Sequence, residues 1–224
     1  MVDIERHRSG DDRLERSSSA KKRFLASMVM DYEKWHDGTG YDLTALDETT
    51  QEDRQEIVGI LRTKIDEPWR TFEALDRINT PDSLSEIERA LKHPNLEVRI
   101  AAARFSRGRE NEKERILVEA LEKSEFYGGL TQALVQVETF HPPAIVDALL
   151  RGLLKRGDSG AVSFAGMLLY VHGKADSSFD WERRPLFLRF GAQNIEDRRK
   201  AFVELCEIIG VDASHYLTER SDPC

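Results

Sequence analysis

The sequence predicts an all-α fold of stacked helical hairpins, and three observations carry that prediction. Apolar residues recur at helical spacing from Phe24 to Ile209. Ala101, Ala133 and Ala165 lie 32 residues apart, and Val98, Leu130 and Val162 keep the same phase. Such a period, with two helices in each unit, marks a helical solenoid. Small residues at Ala101, Ala102, Ala133, Ala165 and Gly166 would let neighbouring helices approach closely, as stacking requires.

The elements follow in order. Residues 1–17 are polar, of mixed charge and without periodicity, which predicts a flexible leader. Ser18 and Ser19 offer capping hydroxyls to a first helix with Phe24, Leu25, Met28, Val29 and Tyr32 on its stripe, reaching Trp35 and His36. Asp37-Gly38-Thr39-Gly40 stops it. Residues 41–46 read as a short turn or a single helical turn. Thr50, three residues before Asp53, opens a helix with Ile57, Ile60, Leu61 and Ile65 inward. Pro68 starts the next, lined by Trp69, Phe72, Leu75 and Ile78.

From Thr80 the hairpins repeat. Thr80-Pro81 caps a helix carrying Leu84, Ile87, Ala90 and Leu91, and a second helix over 95–106 completes the pair. Further pairs are expected over 111–124 with 127–140 and over 143–155 with 159–172. A long loop over 172–185 breaks the rhythm. Asn194 opens a last helix with Ala201, Phe202, Leu205, Ile208 and Ile209 inward, Gly210 ends it, and the helix would cap the stack. The whole reads as a leader over 1–17 and one helical domain over 18–224: N-terminal helices 18–79, repeats 80–172, and loop with cap 173–224.

Composition bounds the function. The chain has 224 residues, 40% of them hydrophobic and 33% charged, with a net charge of −8. Residues 31–56 hold nine acidic and two basic side chains and so net −7, nearly the whole excess. No basic face large enough for a phosphate backbone is visible, which argues against nucleic-acid binding. A focused acidic region instead favours a protein partner with a basic surface. Cys206 and Cys224 form no disulfide framework, so a reducing compartment is expected. With no apolar leader and no long apolar run, neither secretion nor a membrane is indicated, and a cytoplasmic location is expected.

The inventory of reactive residues argues against an enzyme. His7, His36, His93, His141, His172 and His215 never pair at helical spacing, and no metal, nucleotide or nucleophile motif occurs. Glu52-Asp53 and Glu196-Asp197 sit where helix N-termini favour negative charge. No catalytic residue, cofactor or metal site is expected.

Three candidate partner-binding sets remain. The first is Trp35, Asp37, Tyr41 and Asp42, where aromatics interleave with acids as at interface anchors; the structural alternative is a core Trp35 among solvated caps. The second is the loop, where Asp180, Trp181, Arg183 and Arg184 would present an aromatic among ion pairs; alternatively Phe179 and Trp181 clasp the core. The third is a stripe of equivalent second-helix positions, Ile100 with Arg104, Gln132 with Gln136 and Phe164 with Leu168, whose apolar end the C-terminal helix could instead bury.

Residues 94–103, Pro-Asn-Leu-Glu-Val-Arg-Ile-Ala-Ala-Ala, carry the pattern Pro-x-x-x-Val-Arg-x-x-Ala-Ala. It resembles HEAT repeats, including the bacterial branch with the phycobilisome-lyase-type repeats. The resemblance is specific over 81–106, looser over 107–172 and architectural elsewhere, since neither later unit repeats Val-Arg. It implies a right-handed HEAT-like α-solenoid whose activity is binding, with the second helices lining a concave face and Arg99 in an intramolecular ladder. Residues 32–42 and 172–185 also look like segments of short bacterial HEAT-repeat proteins, some of which act as immunity partners of toxins. An assembly or regulatory scaffold is the alternative. HEAT-like DNA glycosylases need a positive concave face, which this chain lacks, and nothing in it points to the tetrapyrrole of the HEAT-like phycobilin lyases.

Overall fold

The computed structural model describes residues 18–65, 68–156, 159–180, 182–192 and 194–217. Among them every regular element is helical, and no helix is long and apolar enough to cross a membrane. The chain divides into two compact units, Met1–Gly108 and Arg109–Cys224. Leader residues 1–17, Trp181 and Cys224 lie outside the described residues.

The first unit opens with helix α1 over 18–27, which buries Ala20 and Phe24, and Met28 just after it is buried one four-residue step further on. Contrary to the continuous helix expected to Trp35, α1 ends here. The Asp31 carboxylate accepts the Lys34 backbone N–H (2.9 Å) and so caps a separate short helix, α2, Tyr32–His36. An aspartate that satisfies an orphan N–H of a new first turn competes with continuation of the old helix. Asp42 caps α3 (Leu43–Asp47), and Thr50 caps α4 (Gln51–Leu61) through Asp53 N–H.

Helix α5 (Pro68–Ile78) is followed by Asn79 at φ 51°, a left-handed turn residue. A reciprocal cap between Thr80 and Ser83 then starts α6 (Pro81–Ala90). Asn95 caps α7 (Leu96–Phe105). Phe24, Leu46, Ile57, Leu61, Phe72, Leu75, Ile78, Ile87 and Ile100 are fully buried and form the core of this unit.

The second unit carries α8 (Glu110–Lys123), a wide turn at Phe126–Leu130, and α9 (Thr131–Val137). Gly129 has φ 97° in that turn, a backbone conformation that glycine adopts without strain. Helices α10 (Pro143–Lys155) and α11 (Ser159–Val171) pack on one another, and α8 packs on α10. The loop leads to α12 (Arg184–Leu188), a single tight turn at Arg189–Gly191, and α13 (Ile195–Ile209), which Gly210 ends at φ 75°. A last short helix, α14, spans Ser214–Leu217.

Two contacts fix the helix ends of this unit. Arg156, the C-cap of α10, donates to the carbonyl of Ser124, the C-cap of α8, and Arg198 of α13 donates to the Arg156 carbonyl (3.2 Å). Equivalent ends of α8 and α10, 32 residues apart, are thus tied side by side.

Glycines mark the close approaches. A Cβ on Gly152 would stand 2.3 Å from Cε2 of Phe164, a ring with no exposed surface. A Cβ on Gly166 would stand 2.4 Å from the Ser178 carbonyl oxygen. At Gly166 it is therefore the crossing loop, not a neighbouring helix, that needs the small residue.

Candidate functional site

Helix α2 buries none of its residues. Trp35 is 64% exposed and Tyr32 75%, and Val29 just before the helix is 68% exposed. The Tyr32 ring lies 6.4 Å from that of Trp35 and 5.9 Å from that of His36, centroid to centroid. Tyr32, Trp35 and His36 make a continuous aromatic face in water. Single apolar side chains on a surface are ordinary, whereas a cluster of this kind is the composition of an interface anchor.

The charge around this face is not the bulk −7 of residues 31–56. Lys21 of α1 pairs with Asp53 (3.2 Å) and Glu56, and Arg23 pairs with Asp42 (3.4 Å) and Glu48 (3.2 Å). Arg77 holds Asp47 along one guanidinium edge, Nε donating to Oδ1 (2.9 Å) and Nη2 to Oδ2. The Thr44 hydroxyl, the Ala45 N–H and Arg23 hold the Asp42 carboxyl below the usual range, and Arg77 does the same for Asp47. Much of the acidic segment is therefore spent within the unit, on basic residues of α1 and α5.

What stays open is the charge on α2 itself. Glu33 is exposed and makes no ion pair among the described residues. Asp37, also exposed, meets only the neighbouring His36 Nδ1 (3.1 Å). Asp31 caps the helix with one carboxylate oxygen. The Lys34 ammonium folds back onto the Val29 carbonyl (3.0 Å).

Within the first set, then, Trp35 and Asp37 stand on one exposed surface, and Asp42 is a helix cap paired with Arg23. Tyr41 corrects the expectation. It is 6% exposed and packs edge-on against Phe24 at 5.9 Å, because the α1 break lets the chain fold back and Asp42 N–H bonds to Ser27 Oγ (2.9 Å).

The helical stripe is corrected as well. Ile100, Phe164 and Leu168 are fully buried, and Gln136 is 3% exposed with its amide donating to the Gln132 carbonyl (3.4 Å). Gln132 is half-buried, and Arg104 is exposed with its guanidinium over the Phe105 ring (5.5 Å). The apolar members and Gln136 thus face the core, Phe164 against Gly152 of α10, while Arg104 and in part Gln132 remain at the surface.

The loop is pinned at one point. Ser178 Oγ donates to Glu138 (2.6 Å) while its carbonyl rests on Gly166. This leaves Phe179 60% exposed, not folded inward. Asp180 is half-buried and caps the Glu182 N–H (2.9 Å), and Arg183 and Arg184 are exposed at the start of α12.

Beside the loop lies a cavity of about 280 Å³ walled by Leu134, Val162, Met167 and Phe187, with Val135, Phe179 and Leu188 exposed at its mouth. Asp180 and Arg184 stand on its wall, but the cavity itself is not legible in the sequence. Phe179, an aromatic stranded in a polar loop, is the signal that could have pointed to it.

The only described cysteine, Cys206, is buried in α13, and burial pushes its thiol up to about 11. No family model, curated protein or solved structure matches this chain.

Proposed function

We propose that this chain is a non-catalytic protein-binding module that docks a basic partner on the aromatic face of α2. The observation that carries the reading is the exposed Tyr32–Trp35–His36 surface on the helix that carries Glu33 and Asp37, in a unit whose Lys21, Arg23 and Arg77 pair with five other acids of residues 31–56. Aromatic anchors ringed by charge of one sign combine area for affinity with a field for partner choice and encounter. The same carboxylates repel a phosphate backbone, which disfavours the DNA-repair alternative.

The architecture in this proposal is a HEAT-like right-handed α-solenoid. In its favour stand the Val98-Arg99 pattern on α7, the 32-residue phase of the alanines, and the paired C-caps at Ser124 and Arg156 with that same separation. Within it, the sharper version is an immunity protein that covers the basic catalytic surface of a bacterial toxin. A general assembly scaffold would use the same face.

Co-purification with the products of genes adjacent to its own tests the reading. Binding by the wild-type chain that Tyr32→Ala/Trp35→Ala removes, together with loss of the bound protein's toxicity, supports the immunity version. A bound, non-toxic neighbour leaves the scaffold version. If no neighbour is bound or detoxified, the immunity version is wrong.

A further inference from the structure

We infer that the aromatic face of α2 receives arginine side chains of the partner, stacked on Trp35 and Tyr32 and paired with Glu33 and Asp37. This rests on the docking reading above and names the chemistry that the face selects. Elsewhere the chain itself places cations on its aromatic rings. The Arg70 guanidinium lies over the ring of Trp69 at 4.5 Å and donates to the Thr39 carbonyl (2.9 Å); Arg156 lies over Phe164 and Lys113 over Phe140. Trp35 has the ring and the neighbouring carboxylates but no cation over it among the described residues.

The one lysine of α2, Lys34, has its ammonium held by the Val29 carbonyl (3.0 Å). Residues 31–37 hold the carboxylates of Asp31, Glu33 and Asp37 against the one ammonium of Lys34, so the face is left short of positive charge. A guanidinium suits this face better than an ammonium. It is planar, stacks on an aromatic face, is weakly hydrated, and keeps N–H donors at its edge for a carboxylate. An exposed indole on the same short helix as the unpaired Glu33, with Asp37 held only by His36, is thus matched by arginine in shape and in charge.

The test uses the full ¹⁵N-labelled chain and follows the Trp35 indole N–H, assigned with Trp35→Phe. The probes are acetyl-Gly-Arg-Gly-Arg-Gly-amide and its lysine, citrulline and leucine counterparts. The arginine peptide is expected to shift the Trp35 indole saturably and leave that of Trp69 in place. The citrulline peptide, isosteric but uncharged, should bind about two- to five-fold more weakly, the change that one exposed cation–π contact supports. Glu33→Gln and added salt should both weaken the arginine peptide, and lysine should rank below arginine.

Equal binding of the arginine and citrulline peptides overturns the inference, as does equal binding by leucine or a shift without saturation. If the arginine peptide fails while Tyr32→Ala/Trp35→Ala still abolishes binding of the partner protein, arginine recognition is wrong and the docking reading stands. If the double substitution leaves partner binding intact, the docking reading itself falls.

Discussion

Gly152→Ala should destabilise the protein although it places a better helix former in the middle of α10. Alanine gains roughly 1 kcal/mol over glycine in a helix interior. Against this, the new methyl would stand 2.3 Å and 2.7 Å from two carbons of the buried Phe164 ring. The ring cannot swing away into solvent, and Arg156 lies over it at 5.3 Å. Overpacking a filled core costs roughly 1–3 kcal/mol, so the net effect is a loss of about 1 kcal/mol.

Gly59 supplies the control, because it sits inside α4 and its Cβ would meet nothing within 4 Å. Gly59→Ala should therefore stabilise by about 0.5–1 kcal/mol. Urea unfolding followed by circular dichroism gives both midpoints, each read against the transition of the unit that carries the substitution. Adding Phe164→Leu should cost less in the Gly152→Ala background than in the wild type. A Gly152→Ala midpoint raised as far as that of Gly59→Ala would refute the packing argument.

Further outcomes follow from the same contacts. Gly166→Ala should push Ser178 off α11 and break its hydrogen bond to Glu138, so that limited proteolysis cuts residues 174–180 several-fold faster, with α11 itself still protected. Cys206 should resist iodoacetamide in the native state. Because its folded pKa is raised to about 11, the stability it contributes is present below the unfolded thiol pKa and fades as pH rises through the folded one; Cys206→Ala should flatten that alkaline loss in unfolding experiments. Asp47 and Asp42 have the opposite sign. Their lowered pKa values favour the fold above the unfolded carboxyl range and cease to do so as pH falls through the folded values, so Asp47→Asn should reduce the acid dependence of unfolding of the first unit.

Helix starts and stops were well marked in the sequence because capping is local chemistry. Thr50, Thr80, Asn95 and Asn194 each cap a helix close to where their side chains predict, and Gly210 stops α13 in the left-handed conformation. The break between α1 and α2 escaped because Asp31 looks like one acid among many on a periodic stripe. Its cap turns Tyr32 and Trp35 out to solvent, so Trp35 is a surface residue although the stripe admitted a core position.

The burial of Ile100, Gln136, Phe164 and Leu168 escaped for a different reason. Burial on a second helix depends on which neighbour covers that phase, and a period alone does not say which side of the helix faces in. The electrostatics needed tertiary contacts as well: Arg77 is 30 residues from Asp47, and Lys21 is 35 from Glu56, so summing charge along residues 31–56 overstated the exposed field. The cavity beside Phe179 depends on a loop crossing α11 at Gly166, which no local pattern encodes.

The central claim is that the α2 face, through Tyr32 and Trp35, holds the partner protein. Its most direct test is the affinity of the wild-type chain and of Tyr32→Ala/Trp35→Ala for a co-purifying neighbour, measured by calorimetry at fixed ionic strength, with circular dichroism confirming that both are folded. Loss of two aromatic anchors at a binding centre should weaken the complex by about thirty-fold or more. An unchanged dissociation constant would contradict the account.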